Sequence, residues 1–504
     1  VGLGLDPAPQ AAVLAAFVAG AFVLGAVFHR RRGPLEAMLH RLTLLATIEP
    51  PPPQPPSPEL PPGPRADRYT RSAIRAGGLA SPTVVARFTG EPPRRGGIDM
   101  TQVMAGVRIL EVAEHTFVPA AAALLADLGA EVIKIEHVER GDAMRGLASS
   151  GTIPIPGNVH ALLEHSNRGK QSLALDLLAP EGLEVLYKIA ATCDVFLTNK
   201  LPSVRTKLKI DLDDLRPHNP RLIYVRGTGQ GERGPDADKG SYDNLSFWHR
   251  AGISSALSVP GGDDLSPPPG PAFGDSIGAM TIAGGIMGAL FHRERTGEAT
   301  TVDVSLLASG MWAMGQAIAL SLVMGVPWAP PPAAQIGVNP LANNYVMADG
   351  RFLALTCLQA GKYWPELCNV VGRPELATDA RFADHQSLLQ HSADAKRELE
   401  AIFASDDTAG WRQRLDSFPG QWAFVQDTLQ VAEDPQVVAN GYLQDCVDAA
   451  GTPFRLVAAP IQFGGEPAPA GRAPEFNEHG DELLQELGLD WDRIIELKLA
   501  GVIA

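Results

Sequence analysis

From residue 105 onward the chain alternates short apolar runs with small-residue or amphipathic stretches. Residues 107–112 show the pattern of a strand. Residues 119–128 read as an Ala-rich helix closed by Gly129 at the C′ position, and residues 131–136 read as a second strand. Strand, helix and strand within about 30 residues make a βαβ unit, which implies parallel strands joined by a right-handed crossover. Residues 180–192 predict a further helix with Pro180-Glu181 in its first turn. Residues 194–198 and 221–225 predict two more strands, the second entering a Gly-rich loop at Gly227, Gly229 and Gly231. The fold class is α/β, and this first part is Rossmann-like.

The pattern changes at residues 273–307. Phe273-Gly274-Asp275-Ser276 reads as a turn carrying one acid. Residues 277–293 read as an apolar helix containing Gly278, Gly284, Gly285 and Gly288, and residues 301–307 as a buried strand or helix start. An Asp just ahead of a helix is ordinarily an N-cap. Glycines inside a helix each cost roughly 1 kcal/mol relative to alanine. Such a helix is tolerated where a neighbouring helix or a ligand packs very close. A helix then continues to about Met324, and a Pro-rich break spans residues 327–332. Residues 344–355 carry a hairpin signal with Asp349-Gly350 as its turn. Trp364 and Trp411 are expected in the core of the helical segments that follow. Residues 454–463 read as strand, and residues 480–487 and 491–500 as closing helices. The domain expectation is a large domain over 105–325 plus 441–504 and a smaller α+β domain over 326–440.

Residues 1–99 differ in character. Residues 11–28 form an uncharged run followed at once by His29-Arg30-Arg31-Arg32. Length and basic flank fit a transmembrane candidate, while the basic cluster lies on the wrong side of the run for a signal peptide. A Pro-rich spacer over 50–64 is expected to be extended. Three readings stay open: a membrane anchor, an apolar helix docked on the rest of the chain or on a partner, and upstream sequence outside the natural protein. Val1 in place of Met, and Met100 or Met104 just before the first strand, favour the last.

Composition narrows the function. A net charge of −15, with no basic stripe interleaved with aromatics, argues against a nucleic-acid binder. Cys193, Cys357, Cys368 and Cys446 are scattered without metal-ligand spacing, which fits a reducing, cytoplasmic setting and no metal. The first crossover, residues 113–119, has no G-x-G-x-x-G, so NAD binding is not expected and Glu136 is read as structural.

Gly274-Asp275-Ser276, the glycine-bearing helix, and the following Arg293-x-x-Thr296-Gly297-Glu298-Ala299-x-x-Val302-Asp303-Val304-Ser305 together resemble the class III CoA-transferases, the CaiB/BaiF family. So do Gly129-Ala130-Glu131-Val132-Ile133-Lys134-Ile135-Glu136, the distinctive stretch from Asn167-Arg168-Gly169-Lys170 to Leu175-Asp176-Leu177, Ala348-Asp349-Gly350, Asp434-Pro435-Gln436-Val437 and His479-Gly480-Asp481-Glu482. The resemblance covers roughly residues 107–503. It implies an interlaced homodimer, a Rossmann-like large domain completed by the C-terminal tail, and coenzyme A or acyl-CoA as substrate beside a carboxylic acid. It also implies that Asp275 is the covalent nucleophile. The family's CoA contacts fall on Thr116, His137, Leu175, Asn199, Lys200, Lys207 and the turn at Ser241, Tyr242 and Asp243. Here the sequence departs from the family: His137 stands where Arg is common, Leu178 where Lys is common, and Asn199-Lys200-Leu201-Pro202 replaces Asn-Phe-Arg-Pro. Lys200 and Lys207 either take over the phosphate charge or are solvated surface lysines.

Two alternatives accompany this reading. The related α-methylacyl-CoA racemases use a His where Tyr242 stands, and a phenol with an ordinary pKa near 10 is a poor proton acceptor at pH 7. The other alternative is a membrane-tethered, non-catalytic CoA-binding scaffold. His115 and His249 are read as structural. Trp422 and Phe424 either line an apolar acyl pocket or fill core, and Trp312, Met324 and Trp328 are equally open; this aromatic content leans toward a bulky apolar acid.

Overall fold

The computed structural model describes residues 101–150, 159–259, 262–329 and 339–504. The apolar run at 11–28 and the Pro-rich spacer lie outside the described residues.

A six-stranded parallel sheet organises the structure. Its strands are β1 (Arg108–Val112), β2 (Glu131–His137), β3 (Gln171–Leu175), β4 (Val195–Thr198), β5 (Ile223–Thr228) and β6 (Thr301–Ser305), in the spatial order β3-β2-β1-β4-β5-β6. Their residues alternate between two cores as the pleat requires. Ile109, Val195, Leu197, Ile223 and Val225 enter one core, and Leu110, Phe196 and Tyr224 the other. The first core packs helix α1 (Phe117–Asp127) and the long helix α2 (Phe273–Thr296) on the sheet. The second packs Pro180–Ala190 together with Leu483, Leu484, Ile494, Leu497, Val502 and Ile503 from the end of the chain. A backbone bond from Asp176 to Val502 (2.9 Å) ties the chain's end to the edge beyond β3.

A separate core lies over residues 341–424. The antiparallel strands β7 (Ala342–Val346), β8 (Phe352–Thr356) and β9 (Trp422–Phe424) share it with Trp364 and Trp411, both fully buried. Gly350 takes φ +78° in the predicted Asp-Gly turn, a conformation glycine adopts without a Cβ clash. A small antiparallel pair, β10 (Leu443–Val447) and β11 (Pro453–Val457), follows.

Several expectations are corrected. The helix at residue 277 begins earlier, at Phe273, so Asp275 lies inside its first turn and makes no side-chain cap bond. Gly227 belongs to β5 and not to a loop. A Cβ there would lie 2.2 Å from Val118, so the glycine lets the strand meet α1. Residues 171–175, within the distinctive stretch, form a strand that the hydrophobic pattern alone did not single out. The strand expected over 454–463 stops at Val457. The helix leading to Met324 breaks at Met314 into Leu306–Ala313 and Gly315–Met324, bent by 70°. Among the described residues one helix, Phe273–Thr296, is long and apolar enough to cross a membrane by length and composition; its core-facing side packs against α1 and the sheet.

Candidate active site

In an open α/β sheet the crevice forms outside the carboxyl ends of neighbouring strands whose connections run opposite ways. Here those strands are β1 and β4. Glu114 and His115 follow the first, and Asn199 and Lys200 follow the second. All four line a cavity of about 510 Å³ that also takes in Asp275, Tyr242 and Phe117. A second cavity of about 230 Å³ shares Glu114, Arg140, Lys200 and Val204 with it, and is lined by His137, Leu175 and Lys207. A third, of about 250 Å³, shares Leu177, Leu178, Lys207 and Leu208 with the second and reaches Tyr187. The three form a continuous trench with Asp275 at one end.

Asp275 is positioned by the start of α2. The residue before the helix, Ala272, takes a left-handed φ of +55°. Gly274 donates its backbone N–H to Asp243 Oδ2 (3.1 Å), so a carboxylate from another element satisfies a first-turn donor and leaves the Asp275 side chain unused as a cap. Three of the glycines in α2 are explained by close packing, among them Gly285, where a Cβ would lie 2.7 Å from Val302. A Cβ on Gly274 would lie 2.5 Å from Phe247, and one on Gly278 would lie 2.3 Å from Phe117. Nothing lies within 4 Å of the corresponding positions on Gly284 and Gly288. The helix N-terminus favours an ionised carboxylate, but burial and the neighbouring Asp243 carboxylate outweigh it. Together they push Asp275 up to about 7. A half-buried carboxylate in this state is a stronger base and nucleophile than a solvated one, and is partly protonated at neutral pH.

The other sequence candidates divide. His137, Leu175 and Lys207 are walls of the second cavity. Asn199 brackets Glu114, accepting from its N–H (3.2 Å) and donating to its C=O (2.7 Å). Lys200 is paired with Glu114 at 3.0 Å, whereas Lys207 is exposed and has no ion pair among the described residues. Tyr242 is on the cavity wall, and Asp243 works through Gly274. Thr116 is buried, with its hydroxyl toward Ser166 (3.4 Å), and lines none of the three cavities. Glu136 is structural. It pairs with Arg145 (2.7 Å) and accepts from Ser172 Oγ (2.7 Å) and from the Asp142 N–H (2.7 Å). His249 contacts Ser254 Oγ (3.0 Å). Phe424 and Trp422 pack in and against the residue 341–424 core, away from the trench. Trp312, Met324 and Trp328 are exposed.

Sequence reasoning overlooked Arg140 and the placement of His115. Arg140 is exposed, borders both cavities and has no ion pair among the described residues. A basic residue three positions beyond His137 was the available signal. Among the described residues, no group of three or more His, Cys, Asp or Glu side chains is arranged to hold a metal ion.

A parallel sheet with a poised acid at its switch point defines an α/β enzyme class that works on a ligand laid across strand ends. The profile of CoA-transferase family III matches residues 104–480, and the chain belongs to that family. It is similar to the (R)-2-hydroxy-4-methylpentanoate CoA-transferase of Clostridioides difficile, at 27% identity over 80% of this chain and 99% of the relative. It is also similar to the cinnamoyl-CoA:phenyllactate CoA-transferase of Clostridium sporogenes, at 28% identity over 79% and 96%. The crystal structure of a CaiB/BaiF family protein from Brucella suis superposes with a TM-score of 0.65 at 27% identity, covering 77% of this chain and 99% of that one.

Proposed function

We propose that this chain moves coenzyme A from an acyl-CoA to a carboxylic acid through covalent intermediates on Asp275. The observation that carries this reading is the trench. Asp275, raised to about 7, stands at one end, and Lys207 stands where the second and third cavities meet. An extended thioester fits such a shape with its reacting carbonyl at the acid and its phosphates toward Arg140, Lys200 and Lys207.

In the first step the Asp275 carboxylate attacks the thioester carbonyl. The C–S bond breaks, CoA leaves as thiolate, and a mixed anhydride remains. The thiolate then attacks the aspartyl carbonyl, the donor acid leaves as a carboxylate, and Asp275 carries CoA as a thioester. The acceptor carboxylate attacks that thioester and releases the thiolate. The thiolate returns to the acceptor carbonyl, which frees the new acyl-CoA and the Asp275 carboxylate. The positive end of α2 favours the negative charge that develops beside Asp275.

The reading extends to assembly. We take residues 105–325 with 441–504 as a Rossmann-like large domain, residues 326–440 as the smaller one, and the active form as a cytoplasmic homodimer. Support comes from the helix Gly315–Met324, in which no residue is buried, and from Trp312, Leu322 and Val323, each at least 79% exposed. An apolar face of this kind marks an interface.

Peptide mass spectrometry after incubation with a panel of acyl-CoAs, followed by hydroxylamine or borohydride trapping, tests the chemistry. The expected result is an adduct on Asp275 and loss of turnover by at least 10³-fold in Asp275→Ala. No adduct, together with deuterium wash-in at the α-carbon of a 2-methylacyl-CoA, would establish racemisation instead.

A further inference from the structure

His115 holds a left-handed backbone, φ +68°. A residue bearing a Cβ adopts this at a cost of roughly 1 kcal/mol, and glycine takes it freely. Strain of this kind persists where the surroundings over-determine it, and they do so here from both sides. The His115 N–H donates to Asp142 Oδ1 (3.0 Å), while Asn199 brackets the preceding Glu114. Asp142 is in turn fixed by Lys134 (2.8 Å), Lys134 by Glu111 (2.7 Å), and Glu111 by Lys170 (2.7 Å), with all four side chains almost wholly buried. This network ends on the His115 turn.

The ring so placed faces the Asp275 cavity and has little else to do. Its recorded contact is an edge-on approach to Tyr242, with centroids 5.6 Å apart and planes at 83°, and no hydrogen bond to its ring nitrogens occurs among the described residues. Of the three basic side chains on that cavity, Lys200 is already paired with Glu114, and both Lys200 and Arg140 also border the second cavity. His115 alone of the three is confined to the chamber containing Asp275. That chamber must accept an anionic acid although Asp275 lines it and the carboxylate of Asp243 acts on Asp275 from beside it. An imidazole N–H offers a carboxylate oxygen a hydrogen bond whether the ring is neutral or charged.

We propose that His115 is the binding residue for the carboxylate of the acid substrate, held in the Asp275 chamber by the buried Glu111–Lys134–Asp142 network. The proposal rests on the transferase reading and names the group that seats the acid leaving, or approaching, the aspartyl carbonyl.

The test uses the full chain saturated with CoA and titrated calorimetrically with 3-phenylpropanoate and 4-methylpentanoate as probe acids. His115→Gly removes the ring and relieves the backbone. It should retain CoA affinity within about 2-fold, melt no lower than wild type, and weaken acid binding about 10-fold or more, the equivalent of one lost hydrogen bond to a charged group. His115→Gln, which keeps an N–H donor, should recover part of that loss. In turnover the acceptor KM should rise far more than kcat falls. Unchanged acid affinity in His115→Gly, or no binding of either acid by the CoA-saturated wild type, would overturn the proposal. If acid binding depends on His115 while Asp275 takes no adduct, the covalent mechanism fails and the carboxylate site stands.

Discussion

Glu111, Glu136 and Asp142 lie buried beneath the strand ends, while Asp275 lines the crevice with Asp243 beside it. In the buried group every carboxylate meets a cation: Glu111 has Lys134 and Lys170, Asp142 has Lys134, and Glu136 has Arg145. Burial acts to raise Glu136 and Asp142. Arg145, by hydrogen bond and charge, and Lys134, by charge, outweigh it at Glu136, and the charge and hydrogen bond of Lys134 do so at Asp142, holding the two below the usual carboxylate range. Burial likewise opposes the charge on Lys134, yet Asp142 and Glu111 keep it raised. Asp275 has burial without a cation and Asp243 beside it, and it moves the other way, to about 7. The same side chain is locked ionised in one place and left reactive in the other, and the difference is whether a cation was supplied.

The comparison predicts opposite signs for removing a charge. Lys134→Met takes the cation from Asp142 and one of two from Glu111. We expect a loss of about 3–5 kcal/mol in denaturant unfolding, the usual result of breaking a buried pair. A loss below about 1 kcal/mol would show that the network is not needed to hold the strand ends.

Asp275→Asn should go the other way. The folded state favours the neutral acid, so the stability this site contributes is complete below the unfolded value near 3.9 and is lost as pH rises through about 7. The variant should therefore gain on wild type between pH 4 and pH 8, reaching about 4 kcal/mol at pH 8 and nearly vanishing at pH 4. Melting curves across that range decide it. A gain that does not change with pH would assign the effect to packing.

Some of this was legible in the residues. Short apolar runs marked β1, β2 and β4 because both faces of a parallel sheet bury apolar side chains. Gly129 marked the end of α1 because its φ of +100° suits glycine. Asp275 stood out through its setting of Gly, Ser and a glycine-bearing helix. What escaped depends on partners remote in the chain. The start of α2 at Phe273 is secured by Asp243, 31 residues away, and so could not be read from the local turn. The left-handed His115 is imposed by Asp142, 27 residues away. The strand at residues 171–175 was hidden because polar groups with buried partners, Lys170 and Ser172, stand at its start. Thr116 falls in the right segment for a ligand contact, but the backbone reversal at His115 turns its hydroxyl toward Ser166.

The smallest expected effect divides the two causes acting on Asp275. Asp243→Asn keeps size and one amide oxygen but removes the charge. Attack by Asp275 requires its ionised form, so the rate of adduct formation in wild type should rise through about pH 7. If Asp243 contributes by repulsion, the limb in Asp243→Asn should move down by roughly half to one pH unit. The variant would then label about 3- to 5-fold faster than wild type at pH 6 and equally fast at pH 8.5. Asp243 also accepts from the Gly274 and Asn244 N–H groups (3.1 and 2.8 Å). An asparagine retains one of these bonds, which costs about 1 kcal/mol of stability but does not move the limb. An unmoved limb would leave burial as the sole cause of the raised value. Slower labelling at every pH would mean that Asp243 serves Asp275 by holding the first turn of the helix, with its charge incidental.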